Sequence, residues 1–286
     1  MNIKQIKAIA AAAVLTLSLS LTACGGSSES IQIAVPNDAT NEARALLLLE
    51  EKGILTLNEG AGIQATKKDI AENPYNVEIV EAEAAQLPNI LRDVDYAVIN
   101  TNYAIPAGLN PLEDSLAIEG SESAYVNILA VREGNENTDK IKALAAALQS
   151  QQVTDYITAT YQGAAVAVAE NPGTGYDDSI DYDSLKGVTI TVAASPTPHA
   201  EILEICKEIL AARDITLEIQ TYNDYVVPNT VVDDGTLDAN FFQHEPYLKD
   251  FNEANGTHLV NVLGVHVEPM GLYGGKQTTL DAVTGK

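Results

Sequence analysis

The residues from Leu237 to Tyr247 read Leu-Asp-Ala-Asn-Phe-Phe-Gln-His-Glu-Pro-Tyr. An apolar strand signal that ends in adjacent aromatics and then presents an amide, an imidazole and an acid is the pattern of a strand leaving the core at a ligand. Open α/β sheets bind small molecules at such strand ends. The competing reading keeps Phe241 and Phe242 in the core and gives Gln243 and His244 only a turn to solvate. The same step recurs where Val98 and Ile99 run into Asn100, with Asn102 and Tyr103 behind it. Asn127 interrupts the apolar run Tyr125 to Val131, and an amide there must find hydrogen bonds, either as a bridge to backbone or as a ligand contact. Arg44 lies near the start of a capped helix, where helix dipole and guanidinium together suit an anion. Its plainer alternative is an ion pair with Glu50 or Glu51.

Catalytic and metal chemistry find less support. His199, His244, His258 and His266 show no H-E-x-x-H spacing, and no G-x-S-x-G elbow is present. Asp177, Asp178, Asp181 and Asp183 lack the central glycine and terminal glutamate of a calcium loop. No enzyme activity, metal or cofactor is expected. The formal charge of −24 argues against nucleic acid as a partner, because phosphate backbones are bound by clustered Lys and Arg. Such a charge also favours a soluble, monomeric domain.

The elements that must position these residues alternate in type. Strands are predicted at Ile31–Val35, Val77–Val80, Tyr96–Asn100, Tyr125–Val131, Val188–Ala193, Thr216–Thr221, Leu237–Phe242 and Leu259–Val267. Helices are predicted after the caps Asn37, Asp38 and Thr40, at Ala84–Leu91, in one long pattern over Asp139–Tyr161, and from His199 to Ala212 behind Thr197 and Pro198. Shorter helices are predicted at Lys67–Glu72 and after Asp224–Asn229. The turn-rich, acidic segment 169–187 reads as a linker, and Leu280–Lys286 as the lead-in to a further strand. The unit starting at Val188 echoes the one starting at Ile31: strand, Pro-containing polar turn, helix. Two lobes of similar build are therefore expected.

The first 23 residues combine Lys4 and Lys7 with an apolar run from Ala8 to Leu21, the pattern of a signal peptide. Leu21-Thr22-Ala23-Cys24 resembles a bacterial lipobox, which implies cleavage before Cys24 and acylation of its thiol. Residues 24–30 would then be the lipidated cysteine and a tether, holding the protein at a membrane face without a spanning helix. Cys206, the other cysteine, sits in an apolar helical pattern and is read as a core residue.

With these residues placed, the chain resembles the methionine-binding lipoproteins of the NlpA family, substrate-binding components of methionine ABC importers. The resemblance rests on Pro36–Leu46, Glu83–Leu87, Val98–Asn100, Pro196–Leu203, Asp224–Val226, Leu237–Tyr247 and His266–Tyr273. It departs from the family in order: family members begin with the counterpart of Val188 onward and continue into the counterpart of Ile31 to Val166. The implied fold is α/β, a two-lobed periplasmic-binding-protein-like fold (type II), circularly permuted. One lobe would comprise 123–168 and 188–267. The other would comprise 31–122 with 268–286, and 169–187 would join the family's original ends. Cutting the family's covalent tie into Ile31 is expected to cost that lobe some stability without abolishing the fold.

The resemblance implies capture of L-methionine or a close analogue and its delivery to the permease and ATPase subunits of an ABC importer, at the extracytoplasmic face of the cell membrane through a lipid anchor. A methionine-containing dipeptide, D-methionine or another apolar amino acid is the nearer alternative ligand, and a metal-binding importer component the more distant one. Carried over by motif, Arg44 would grip the carboxylate, Asn100 and Asn127 would supply amide hydrogen bonds, and Tyr225, Phe242 and His244 would wall the side-chain pocket. His199 is left to the start of its helix.

Overall fold

The computed structural model describes residues 30–120 and 124–285. The signal peptide, Cys24 and most of the tether lie outside them. In chain order the first strands and helices are β1 (Ile31–Pro36), α1 (Ala39–Glu51), β2 (Thr56–Leu57), β3 (Ile70–Glu72), β4 (Val77–Ala82), α2 (Leu87–Ile90), β5 (Tyr96–Ile99), α3 (Thr101–Ala104) and β6 (Ser115–Ile118). There follow β7 (Val126–Arg132), α4 (Asp139–Leu148), α5 (Gln151–Tyr161), β8 (Val166–Ala167), β9 (Thr189–Ala194), α6 (Glu201–Ala211), β10 (Thr216–Thr221), α7 (Val227–Asp233) and β11 (Ala239–His244). The last are α8 (Glu245–Asn255), β12 (Leu259–Val267), β13 (Gly271–Gly274) and α9 (Asp281–Thr284).

Two large sheets result. One has the order β4-β1-β5-β13-β6, the other β10-β9-β11-β7-β12-β8. Each mixes parallel pairs, such as β1 with β4 and β9 with β10, with antiparallel ones at β13 and β7. The apolar run Tyr96–Ile99 is buried along its whole length because helices or loops cover both faces of that sheet. On one face of the second sheet, Leu144, Ile157, Leu203, Cys206 and Leu210 of α4, α5 and α6 join Ile190, Val192 and Phe241 in one core. This architecture is two-lobed α/β. The chain returns from the second sheet to the first through Glu268, Pro269 and Met270. That segment is pinned by Glu119 N–H to the Met270 carbonyl at 2.9 Å and by Thr101 Oγ1 to the Pro269 carbonyl at 2.6 Å.

Several local expectations are corrected. The long pattern over Asp139–Tyr161 breaks into α4 and α5, because buried Ser150 caps the second helix by accepting from Val153 N–H while pairing with Gly173. Ala84–Leu91 carries one short α-helical turn between 3₁₀ turns, with Pro88 at its start. Lys67–Asp69 is a 3₁₀ turn, and the chain then extends as β3. Thr197 has an extended backbone, and its hydroxyl donates to Glu201 instead of capping a backbone N–H.

The segment around Leu280 forms α9, not the approach to a strand, and buries Val283 in the core that holds Ile33 and Leu49. The acidic segment after Asn171 is docked on the fold. Tyr176 Oη donates to the Ile209 carbonyl at 2.9 Å, and the Arg213 guanidinium stacks 4.4 Å from the Tyr176 ring centre. No helix among the described residues is long and apolar enough to cross a membrane.

A cleft of amides and aromatics between two sheets

Between the sheets lies a cavity walled from both lobes. The first lobe lines it with Asn41 and Arg44 of α1 and with Asn100, Thr101 and Asn102 beyond β5. The second contributes Asn127 of β7, Tyr225, and Phe242, Gln243 and His244 of β11, with Tyr247 of α8. Glu268 enters from the crossing segment.

Local structure explains these placements. Asp38 caps α1 by accepting from Asn41 N–H at 2.9 Å, so the first turns of the helix present Asn41 and Arg44 on one side. On β11, Phe241 pairs with Leu129 and Gln243 with the next residue, Ile128, so Phe242 is the extra residue of a bulge. The bulge breaks the strict alternation of the strand. Phe241 goes to the core beside α6, while Phe242, Gln243 and His244 all reach the cavity wall. Gln243 is then tied into an amide network with Asn229 and Asn240. His244 caps α8 by accepting the Tyr247 N–H at Nδ1, which leaves its proton on Nε2.

Arg44 is 4% exposed. Its Nε and Nη2 bond the Glu119 carboxylate, and Nη2 also donates to the Glu268 carbonyl at 2.7 Å. Nη1 makes no hydrogen bond among the described residues. The guanidinium carbon stands 4.4 Å from the centre of the Tyr125 ring. The surface pairing with Glu50 or Glu51 does not form: Glu50 accepts from Leu57 N–H and Glu51 pairs with Lys52.

Asn100 donates Nδ2 to Asn41 Oδ1 at 2.9 Å, but its Oδ1 is buried without a partner. Asn102 is the complement: Oδ1 accepts from Tyr225 Oη at 2.8 Å while Nδ2 is buried and unpaired. Asn127 receives His199 Nε2 on Oδ1 at 2.9 Å, so the bridge weighed against a ligand contact is to a side chain, and Nδ2 remains open among the described residues. Buried orphan amide groups are costly, so their concentration at one cavity is the signature of a polar ligand. At the other side, the rings of Tyr225 and Phe242 are 5.8 Å apart and those of Phe242 and Tyr247 6.1 Å, an aromatic wall.

The electrostatics are set by burial. Desolvation, then the nearby Arg44 charge, pushes His244 well below the ordinary imidazole range, so it is a neutral donor. Burial likewise raises Tyr225 well above the usual phenol value and keeps its hydroxyl intact. All six residues singled out in the sequence, Arg44, Asn100, Asn127, Tyr225, Phe242 and His244, line this one cavity. Sequence reading placed Gln243 and Asn102 at these strand ends without assigning them to the site, and missed Asn41, Thr101, Tyr247 and Glu268 as part of the wall. Asn41 shares a helix face with Arg44 and Asn102 follows Asn100 by two positions, signals that were legible.

The model of the NlpA lipoprotein family matches residues 26–169 and 190–286. The probable D-methionine-binding lipoprotein MetQ of Vibrio cholerae is 47% identical over 135 residues, 47% of this chain and 50% of its own length. Membrane lipoprotein TpN32 of Treponema pallidum is 47% identical over 137 residues, 48% of this chain and 51% of its own. The chain thus spans about half the length of the curated relatives it matches. A nutrient binding protein from Burkholderia cenocepacia solved with methionine is 47% identical, covering 47% of this chain and 57% of that one, at a TM-score of 0.46. With its family model matched over both long segments, this chain belongs to the NlpA lipoprotein family.

Proposed function

We propose that the protein is an extracytoplasmic substrate-binding lipoprotein that captures methionine and delivers it to an ABC importer. The observation that carries this is the composition of the cleft: a buried guanidinium with a free Nη1, orphan amide donors and acceptors, and a neighbouring aromatic wall. A zwitterionic amino acid needs a cationic fork, oxygen acceptors for its ammonium and an apolar pocket with polarisable walls for a thioether. Arg44 takes the carboxylate, Asn102 and Asn127 donate, Asn100 accepts, and Tyr225, Phe242 and Tyr247 hold the side chain. Cys24 carries the lipid that anchors the protein at the outer face of the membrane, and permease and ATPase subunits are its partners. The protein works as a monomer.

We also propose that the chain is a circular permutant of its family. The family match breaks at 170–189, and each curated relative aligns with only about half of this chain and half of itself. Val283 packs into the same core as Ile33, which supports a common lobe for 31–122 and 268–286, with the docked segment 169–187 closing the other.

The test is calorimetric titration of L-methionine into protein unfolded and refolded to strip carried ligand. Saturable binding at one site per chain is expected. Absence of heat from protein that melts cooperatively would remove the reading. D-methionine, a methionine-containing dipeptide and leucine in the same assay define the ligand range.

A further inference from the structure

The two lobes also meet outside the cavity wall. Asp250 of α8 reaches across to the first turn of α1, where its Oδ2 accepts the Thr40 hydroxyl at 2.5 Å, a contact between residues 210 positions apart. Thr40 is buried beneath it. That turn already carries a carboxylate. Asp38 caps it, with Oδ1 accepting Asn41 N–H at 2.9 Å and Asn41 Nδ2 at 3.0 Å, and Oδ2 accepting the same Nδ2 at 3.1 Å. The positive end of a helix acts over its first turn only. Two acids, one from each lobe, converge on that one turn.

A ligand enclosed between the lobes enters by their parting, so the contacts divide into those that survive opening and those that do not. The bonds from Asn41 to Asp38 are local to α1 and belong to both forms. The Thr40–Asp250 bond and the approach of Asp250 to Asp38 belong to the closed form alone. Burial raises the Asp38 carboxyl above the ordinary range, the Asn41 bonds pull it back, and the Asp250 charge raises it again. Closure therefore adds the influences that disfavour the ionised form.

Neighbouring groups do not relieve this. Glu42, on the same helix, adds negative charge, and its own partners Lys67 and Glu81 belong to the first lobe and move with it. Tyr103 faces Asp38 from α3, Tyr225 and Tyr247 from the second lobe; burial holds all three above the usual phenol value, so they stay neutral. Glu83 and Asp224 add charge of the same sign around Tyr103 and Tyr247. Two cations on the flanking helices are matched elsewhere, Arg44 by Glu119 and Lys249 by Glu245.

We infer that Asp38 and Asp250 form an acid-sensitive latch at the rim of the cleft: closing the lobes presses two carboxylates onto one helix end, and the pair takes up a proton as they meet. Resting on the amino-acid reading above, this couples capture to pH. A carboxyl harder to ionise in the closed form makes closure, and with it ligand affinity, rise as pH falls. His244 opposes this, because the burial that keeps it neutral also belongs to the closed cleft. Asp38→Asn isolates the latch, since asparagine caps a helix as well as aspartate but carries no charge.

Methionine is titrated into the unaltered protein and Asp38→Asn at about pH 7.5 and about pH 5, in buffers of different ionisation heat, which counts the protons exchanged per ligand. Relief of one like-charge contact predicts roughly fivefold tighter binding by the variant at the higher pH, with the gap closing at the lower. The unaltered protein should take up more protons per ligand at about pH 5 than the variant. Asp250→Asn keeps an acceptor for Thr40, and in that background Asp38→Asn should change affinity less than about twofold, because the repulsion is already gone. Equal proton counts, weaker binding by Asp38→Asn at the higher pH, or the same gain in both backgrounds would overturn the latch.

Should Asp38→Asn not fold, Asp250→Asn carries the proton count, with the same difference expected. Small-angle scattering of ligand-free protein separates the latch from the reading it rests on. At about pH 7.5 Asp38→Asn should have a smaller radius of gyration than the unaltered protein, and equal radii would sink the latch. Failure of the unaltered protein to bind methionine, with the radii as expected, would instead remove the methionine reading and leave the latch standing.

Discussion

Arg44→Lys separates what this side chain does for the ligand from what it does for the fold. In the unaltered protein Nε and Nη2 are occupied by Glu119 and the Glu268 carbonyl, and among the described residues only Nη1 remains for a ligand carboxylate. A lysine carries its charge on one nitrogen and cannot span both directions with a planar fork. It should stay with Glu119, which is fixed in the crossing by accepting Met270 N–H at 3.2 Å. The ligand then loses one charge-assisted hydrogen bond, worth about 1.5–3 kcal/mol. That corresponds to roughly 10- to 150-fold in Kd.

Thermal stability should change little in Arg44→Lys, because the half-buried charge of Glu119 keeps a counter-ion. Arg44→Ala removes both functions. Breaking a buried ion pair costs about 3–5 kcal/mol, and the 18% exposure of the Glu119 side chain places the loss near the lower figure. Titration calorimetry gives the first quantity and urea unfolding without ligand the second. Full methionine affinity in Arg44→Ala would refute the reasoning, since among the described residues lining the cavity no other side chain is a permanent cation.

Tyr225→Phe deletes the Oη contact that ties the second lobe to Asn102 of the first while keeping the ring against Phe242. Its net hydrogen-bond value of about 0.5–1.5 kcal/mol predicts a few-fold to tenfold weaker methionine binding, seen mainly as faster dissociation in stopped flow. Unchanged dissociation would show that the bridge contributes nothing to the closed cleft. Stability should also depend on pH through the buried imidazoles. His199 and His244 titrate below their unfolded value when folded, so the unfolded chain takes up protons first and stability falls as pH drops from about 6.5 toward about 3. The depressed carboxyl of Glu268 adds loss in the same direction once the pH falls below its unfolded value of 4.5. Each group contributes at most ~1.4 kcal/mol per pH unit. Differential scanning calorimetry should therefore show Tm falling from neutral pH to about 5, with a shallower fall in His199→Gln; a flat or rising Tm would contradict this account.

Much of the element order was legible because it depends on local patterns. The apolar runs at Ile31, Tyr96 and Val188 and the cap at Asp38 act within a few residues, and the strands and helix they predict are present. Boundaries failed where a distant segment intervened. Ser150 looks unremarkable inside a helical pattern, and only its pairing with Gly173 explains why the helix stops and restarts there. The tail at Asp281 is helical because Val283 finds a core built from residues near the other end of the domain.

The site divides the same way. The sequence determined which residue types stand at strand and helix ends: an arginine after a capped turn, amides after apolar strands, two phenylalanines before a histidine. It could not say that the guanidinium would be held by Glu119, 75 positions away, or that Asn102 would be bridged by Tyr225 of the other lobe. Nor could it bring His199, His266 and Glu268 onto one oxygen, since that geometry comes from where the crossing segment lies against the second sheet. Side-chain chemistry and short-range spacing are written along the chain. Partnership, burial and charge state depend on which segments the two sheets bring into contact, and tertiary packing alone decides them.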